Sequence, residues 1–299
     1  MKKSFGDKLF VAIDIIIIFA LCLVCIYPFL YSLFVSLSDP VELAKVSRFV
    51  YKPAGFSLNA YKSVFTNYHV LHSFRNTLFI VFFGVLLEVL ITLPTAYVLS
   101  RKHVLWRNAI MTFIVLTMYF SGGLIPTYLV VRNYGLYDSL WALIIPVMLN
   151  AYNMIIVRTY MAGIHDSLSE SAMLDGANHL QILWRIFIPL CQPSIAVLIL
   201  YSGVNHWNSW FRAFIYIGKS SKYPLQLVLR NLLINGTQQG SEQSNELGLM
   251  VGVSKADHDV ILSTIQQASV IASTLPIIFI YPLLQKYIVS GIMIGSVKE

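Results

Sequence analysis

A chain of 299 residues is long enough for two domains, but 57% of it is hydrophobic and only 12% is charged. Because soluble domains carry about 25% charged residues, this composition excludes a protein whose whole surface faces water. The net charge of +7 does not indicate nucleic-acid binding, because the basic residues are scattered and form no run of about five or more.

Long apolar runs predict helices that cross a lipid bilayer. A helix needs about 20 apolar residues to cross the hydrocarbon core, and several runs reach that length. Open sheets are excluded because their edges would be unpaired in lipid, and the runs are too long for barrel strands. We therefore predict an all-α integral membrane protein, a single transmembrane domain over residues 1–299 with about six spanning helices. The predicted spans are 10–37, 77–99, 106–131, 139–160, 194–217 and 260–288.

The first run, 10–37, is too long for the apolar part of a secretory signal and lacks a small-residue cleavage site, so we expect it to be retained. Cys22 and Cys25 lie within it at redox spacing, with no other Cys or His nearby. We expect them, and Cys191, to pack as small apolar side chains.

Three polar side chains inside the second and fourth spans are candidates to line a solute path. Glu88 is an intramembrane carboxylate, which is costly and usually faces a partner or a cavity. Asn150 and Asn153 carry amides, which rarely face lipid. The alternatives are a protonated, structural Glu88 and asparagines that only join helices.

The connection 161–193 predicts a short helix that ends at a glycine. Ser167 and Glu170 have the spacing of a capping box for a helix beginning at Leu168. Gly176 suits the left-handed residue that terminates such a helix.

A second short helix is predicted after this glycine. Asn178 and Gln181 have the spacing to start it in the same way, and Pro189 leads into the fifth span. Together the two helices would make a knob on one membrane face. An ordinary loop between spans is the alternative that the caps alone leave open.

Amides and indoles stand close together late in the fifth span. Asn205, Asn208 and Trp210 could bind a sugar, because hydroxyl groups pair with amides and aromatic faces stack on pyranose rings. The alternative is a belt of polar and aromatic residues at headgroup depth.

Residues 213–220 formally match a relaxed phosphate-loop pattern. A phosphate loop needs glycine-rich backbone between a strand and a helix, whereas these residues are bulky and end a spanning helix. We expect this chain to bind no nucleotide or other cofactor.

A spaced set of residues completes the connection 161–193. A glutamate opens an E-S-A group, a glycine follows six residues after it, and an I-x-I-P group closes the segment. This set resembles the coupling loop of ABC importer permeases, E-A-A-x-x-x-G and later I-x-L-P, and departs from it at Ser171 and Ile188. The matching residues, which the resemblance makes candidates for coupling to an ATPase, are Glu170, Ala172, Asp175, Gly176, Ala177, Ile186 and Pro189.

The resemblance also implies partners and an orientation. It implies two cytoplasmic ATPase subunits that carry ATP and Mg, a second homologous permease that forms a heterodimer, and an extracellular or periplasmic solute-binding protein. The loop would face the cytoplasm of a bacterial plasma membrane and place both termini there, an orientation that the even distribution of Lys and Arg does not decide.

Residues 205–210 and the ending 285–299 are similar to the carbohydrate branch of these permeases, and to the smaller permease of maltose-type importers. Residues 208–211 and 223–226 resemble a subgroup for complex oligosaccharides. The implied function is import of a sugar or oligosaccharide by alternating access. The alternatives are a permease for a non-sugar solute and a membrane scaffold or regulatory subunit without a pathway. An enzyme is not favoured, because no catalytic cluster stands at helical spacing.

Overall fold

The computed structural model describes residues 5–46, 50–66, 68–238 and 255–296. These residues form helices and turns, with no strand among them and one isolated antiparallel bridge between Ser38 and Phe56. The prediction of an all-α protein is confirmed. The last residues of the ending 285–299 lie outside the described ranges.

The α-helices of these ranges are numbered here in chain order. They are α1 (Phe5–Ser36), α2 (Pro40–Ala44), α3 (Asn59–Thr66), α4 (Tyr68–Ser100), α5 (Arg107–Tyr119), α6 (Leu124–Asn133), α7 (Ala151–Ala162), α8 (Asp166–Leu174), α9 (His179–Ile182), α10 (Ile188–Leu190), α11 (Gln192–Trp207), α12 (Trp210–Tyr216), α13 (Leu225–Gln238) and α14 (Lys255–Ser296).

Three helical stretches are long and apolar enough to cross a membrane alone: Lys8–Ser36, Val70–Ser100 and Val260–Ile280. Three bent pairs of helical segments meet the same criteria only when each pair is taken together, which gives up to six spans within the described residues. By length and composition, three to six spans are therefore possible, and the predicted number of about six lies at the upper end. The pairs are Arg107–Tyr119 with Leu124–Asn133, Leu140–Val147 with Ala151–Ala162, and His179–Leu190 with Gln192–Trp207.

The predicted third span, 106–131, is not one continuous helix. The axes of α5 and α6 are bent by 113°, and the residue before α6, Gly123, has φ +85°. Because glycine reaches the left-handed region at little steric cost, the Ser-Gly-Gly sequence at 121–123 permits a turn that apolar length alone does not reveal.

The predicted fourth span, 139–160, begins as two 3₁₀ turns, Leu140–Leu143 and Ile145–Val147, before α7. The two halves are bent by 45°. Pro146 lies in the second of these turns, shortly before the bend, and has no N–H to donate to a helix. Asn150 then caps α7, since its Oδ1 accepts from the N–H of Asn153 at 3.2 Å.

The predicted fifth span, 194–217, is divided at Asn208 into α11 and α12. α11 itself begins at Gln192, after an 85° bend from the helical segment before it. Cys191 lies at this bend, and the following Pro193 suits the first turn of α11, where its missing N–H costs nothing.

The chain divides into two compact units. The first consists of Met1–Val70 and Leu229–Leu275. In it, Asp39 caps α2 by accepting from the N–H groups of Val41 and Glu42 at 2.9 and 3.4 Å, and the hydroxyls of Ser36 and Tyr61 lie 2.8 Å apart. These bonds hold the connection after α1 in place.

The second unit consists of Leu71–Val228 and Pro276–Glu299. It has two clusters of buried apolar side chains, and α4 contributes to both, with Ile80 in one and Leu93 and Tyr97 in the other. α4 therefore packs in both apolar clusters of this unit. The cluster around Tyr97 also contains buried residues of α7, α9, the π-helical segment Leu183–Phe187 and α11: Met154, Val157, Met161, Ile182, Leu183, Phe187 and Leu198.

Candidate functional site

The first helix of the predicted knob is α8, and its start differs from the prediction. α8 begins at Asp166 after His165, whose side chain makes no capping hydrogen bond. The predicted capping box of Ser167 and Glu170 is therefore wrong, because both residues already lie inside the helix. Asp166 supplies the acidic side chain of the first turn instead, where a negative charge interacts favourably with the helix dipole.

Gly176 forms the corner that the sequence predicts. Its φ is +84°, and its N–H donates to the carbonyl of Met173 at 3.0 Å. The N–H of Ala177 donates to the carbonyl of Ala172 at 2.9 Å. These bonds satisfy the last carbonyls of α8, as expected where a helix ends in a left-handed residue.

The second helix of the knob begins as predicted. Gln181 donates its N–H to Asn178 Oδ1 at 2.8 Å, and Asn178 donates its N–H to Gln181 Oε1 at 2.9 Å. This reciprocal pair is a capping box. α9 continues through the π-helical segment Leu183–Phe187 into α10, which contains Pro189 in its first turn. We call residues 166–190 the knob.

One face of the knob packs inward and the other is exposed. Ile182, Leu183 and Phe187 are buried, and Ala172, Ala177 and Ile186 pack against the same cluster while partly buried. Glu170 and Asp175 are exposed. The exposed face also carries large apolar side chains, namely Leu174 at 89%, Leu180 at 64% and Trp184 at 56% exposure.

Three of the predicted path residues are brought together inside the second unit. Glu88 is fully buried, and its Oε1 accepts from Asn153 Nδ2 at 2.7 Å. Asn153 is joined in turn to Asn150 through the cap of α7. The contact links α4 to α7 across 65 residues of sequence, a pairing that neither segment reveals alone.

Further polar groups are buried along α4 and α11. Within the described residues, Glu88 Oε2, Thr92 Oγ1 and Ser202 Oγ have no hydrogen-bond partner. Both ring nitrogens of the fully buried His206 are also unpartnered there. Gly84 lies against this ring, since a Cβ on it would come within 2.5 Å of His206 Nε2. Sequence analysis did not single out this contact.

The remaining predicted path residues lie at the end of α11 and at the start of α12. Asn205 is bound to Arg212, whose Nη1 donates to Asn205 Oδ1 and whose Nη2 donates to its carbonyl, both at 3.1 Å. Asn208 ends α11 and is exposed. Trp210 begins α12, with its ring 5.4 Å from that of Phe211.

An apolar cavity of about 430 Å³ lies between α4, α11 and the part of α14 that begins at Pro276. Its walls include Val85, Gly203 and Trp207. None of the predicted path residues lines it, and its apolar walls do not suit a solute rich in hydroxyl groups.

Asp138 joins two connections outside the spanning segments. It has φ +57°, and its Oδ1 accepts from the N–H groups of Gly218 and Lys219 at 3.1 and 3.0 Å. Lys222 Nζ donates to its Oδ2 at 3.0 Å and also to its carbonyl. Burial alone would raise the pKa of Asp138, but the hydrogen bonds from Lys219, Lys222 and Gly218 outweigh it and lower that pKa. The amides that the formal phosphate-loop pattern would offer a phosphate thus donate to a carboxylate of this chain.

Comparisons with known proteins agree with one another. A family described as "Binding-protein-dependent transport system inner membrane component" matches residues 75–294. Protein LplC of Bacillus subtilis (strain 168) is 36% identical over 305 residues, which cover 100% of this chain and 98% of that protein. The polygalacturonan/rhamnogalacturonan transport system permease protein YtcP of the same organism is 35% identical over 298 residues, which cover 100% of both.

A solved structure is similar over almost the whole chain. It is a chain in the crystal structure of a bacterial ABC transporter involved in the import of the acidic polysaccharide alginate. The TM-score is 0.84 at 30% sequence identity, with 96% of this chain and 99% of that chain covered.

Proposed function

Because the chain belongs to the family of binding-protein-dependent transport system inner membrane components, we propose that it carries a sugar or oligosaccharide into the cell. In this role it is a permease subunit of an ATP-binding-cassette importer and not itself an enzyme. Its partners are an ATPase and a solute-binding protein.

The proposed solute is an oligosaccharide released from an acidic polysaccharide. Two similar proteins support this class, since one is a polygalacturonan/rhamnogalacturonan permease and the other belongs to an alginate importer. Uptake of charged oligogalacturonides and of neutral oligosaccharides of equal length by the same vesicles would test the class. Preferential uptake of the neutral sugars would contradict it.

The proposed coupling device is the knob. Large apolar side chains at its tip, above all Leu174 at 89% exposure, stand outside the packed core and need a partner surface to leave water. Glu170 and Asp175 are exposed beside them and offer negative charge to a basic group of the ATPase. The inward face, with Ala172, Ala177 and Ile186, would carry the movement into the helices, and the proposed coupling residues are Glu170, Ala172, Asp175, Gly176, Ala177, Ile186 and Pro189.

Docking of the knob on an ATPase also implies an orientation and further subunits. The knob and both termini would face the cytoplasm of a bacterial plasma membrane, where two ATPase subunits bind ATP and Mg. A second, homologous permease would form the other half of the pathway, and the solute-binding protein would deliver the solute from outside. This chain would bind no cofactor of its own.

The proposed path residues form two groups by their contacts. Glu88, Asn150 and Asn153 are linked to one another and would respond together when α4 and α7 move. Asn208 is exposed and Trp210 follows it at the break between α11 and α12, where sugar hydroxyls and a pyranose face could bind. Asn205 would act with Arg212.

The coupling proposal is tested in proteoliposomes that contain the complete importer and receive solute from its binding protein. The combined change Glu170→Ala and Gly176→Pro removes the exposed charge and the left-handed corner of the knob. We expect ATP-driven uptake to fall by about tenfold or more, because a charged hydrogen bond at an interface is worth about 1.5–3 kcal/mol. The control is Glu42→Ala, which removes an exposed carboxylate of α2 that is paired with Lys45. Intact uptake and ATPase coupling in the knob variant would overturn the proposal.

A further inference from the structure

One arginine at the end of α4 connects the knob to the spanning helices. The side chain of Arg101 is only 13% exposed. Its Nη1 donates to Ser169 Oγ at 3.1 Å and to Asp166 Oδ1 at 3.4 Å, both on α8. Its Nη2 donates to the carbonyl of Met161 on α7 at 3.3 Å, and its Nε donates to Ser100 Oγ at 3.2 Å. All donating nitrogens of this guanidinium are therefore used within the protein.

Two aromatic rings also contact the same guanidinium. Its central carbon lies 4.4 Å from the ring centroid of Phe187 and 5.4 Å from that of Tyr97. Phe187 is fully buried in the π-helical segment of the knob, and its ring lies 5.0 Å from that of Tyr97. A cation over an aromatic face is attracted by the ring, more strongly as it is withdrawn from water. Arg101 thus contacts both ends of the knob, which are α8 and the π-helical segment. It also contacts the two spanning helices α4 and α7.

The end of α4 is itself held by two other arginines. Arg107 and Arg158 both donate from Nε to the carbonyl of Leu99, at 3.0 and 3.1 Å. Basic side chains that bond the last carbonyls stabilise a helix end. Arg101 therefore directly follows a helix end that is hydrogen-bonded to two other side chains.

The neighbouring Lys102 contacts the same carboxylate in a different setting. Its Nζ donates to Asp166 Oδ2 at 3.0 Å, but its side chain is 73% exposed. The hydrogen bond and charge of Lys102, with a smaller contribution from Arg101, lower the pKa of Asp166. Exposed ion pairs contribute little to holding two elements together, so Lys102 is a matched control.

We propose that Arg101 is the positioning residue that transmits movement of the knob to α4 and α7. This inference rests on the proposed function of the knob. Arginine suits the role because its planar fork both donates in several directions and stacks, whereas lysine is a flexible point charge. α4 and α7 are the helices joined by Glu88 and Asn153, and Glu88 lies about 20 Å along α4 from Arg101. The knob and that buried pair are therefore linked through the same two helices.

The test uses the complete importer in proteoliposomes, with solute uptake and ATP hydrolysis measured in the same vesicles. For Arg101→Gln, we expect the ATPase to copurify as with the wild type while solute transported per ATP falls by about tenfold. Arg101→Lys should give an intermediate loss, because it keeps the charge and loses the fork. Lys102→Gln should stay within about twofold of the wild type.

Two results would overturn the inference. One is an Arg101→Gln importer with the transport ratio of the wild type. The other is a loss of ATPase copurification in parallel with uptake, which a merely structural role predicts. If Arg101→Gln is not recovered from the membrane, the solute transported per ATP is measured for Arg101→Lys instead. A wild-type value in that variant again overturns the inference.

Comparison with the knob variant separates this inference from the proposed function. If Glu170→Ala with Gly176→Pro leaves uptake intact, the coupling function of the knob is wrong. If that variant loses uptake while both Arg101 variants keep the normal ratio, only the role of Arg101 is wrong.

Discussion

Gly84 on α4 lies against the ring of His206 on α11, and Gly203 on α11 offers a matched control. The change Gly84→Ala would bring a methyl group within 2.5 Å of the buried imidazole, so we expect a loss of about 1–3 kcal/mol in stability. The measurement is the thermal unfolding midpoint of the detergent-solubilised protein. Gly203→Ala is the control, because its nearest neighbour would be Val85 Cγ2 at 4.0 Å. Equal midpoints for the two variants would contradict the packing described for α4 and α11.

Single residues show how far sequence reasoning reaches at this scale. Glu88 and Asn153 could each be singled out, because a carboxylate or amide inside a span is costly. Their bond could not be predicted, since the sequence does not state which faces of two distant helices meet. Arg101 was missed for the same reason, and its only sequence signal is its position directly after a long apolar helix.

At the scale of elements, the local sequence predicts a helix cap correctly where no contact from a distant part of the chain shifts the helix end. Asn178 with Gln181 formed the predicted capping box, and Gly176 took the left-handed conformation. The predicted capping box at Ser167 is wrong because α8 starts earlier, at Asp166, which is bonded to the largely buried Arg101. A contact from elsewhere in the chain thus prevailed over local propensity.

The connection of Asp138 with Gly218 and Lys219 gives a pH dependence at this scale. Because the pKa of Asp138 is lowered on folding, its stabilisation is fully present above the usual aspartate pKa. It is lost as the pH falls through the lower pKa of the folded state. The protection of the Gly218 and Lys219 amide hydrogens, measured relative to the rate of an unprotected amide at the same pH, should therefore fall on acidification in the wild type and be low at every pH in Asp138→Ala. Slow exchange in the variant at neutral pH would contradict this account.

For the whole molecule, apolar length predicted an all-α chain with about six spans but not the breaks within them. The Ser-Gly-Gly sequence at 121–123 and Asn208 mark positions where helices end inside predicted spans, and Pro146 lies in a 3₁₀ turn inside another. An apolar run reports that a segment belongs in lipid and not that it is straight. The sequence predicts the function because the knob combines local helix caps with a spaced motif. It does not predict which residues line the solute path, because that depends on which helices pack together.

Leu174 offers the most direct measurement on the central claim, that the knob docks on an ATPase. Its side chain is 89% exposed, so Leu174→Asp should leave the fold of this chain unchanged. At a buried apolar contact of the docked complex, the charge should cost about 2 kcal/mol or more, roughly a thirtyfold weakening. The account predicts that the variant inserts normally but loses copurification of the ATPase and ATP-driven uptake together. Uptake and copurification at wild-type levels would contradict it.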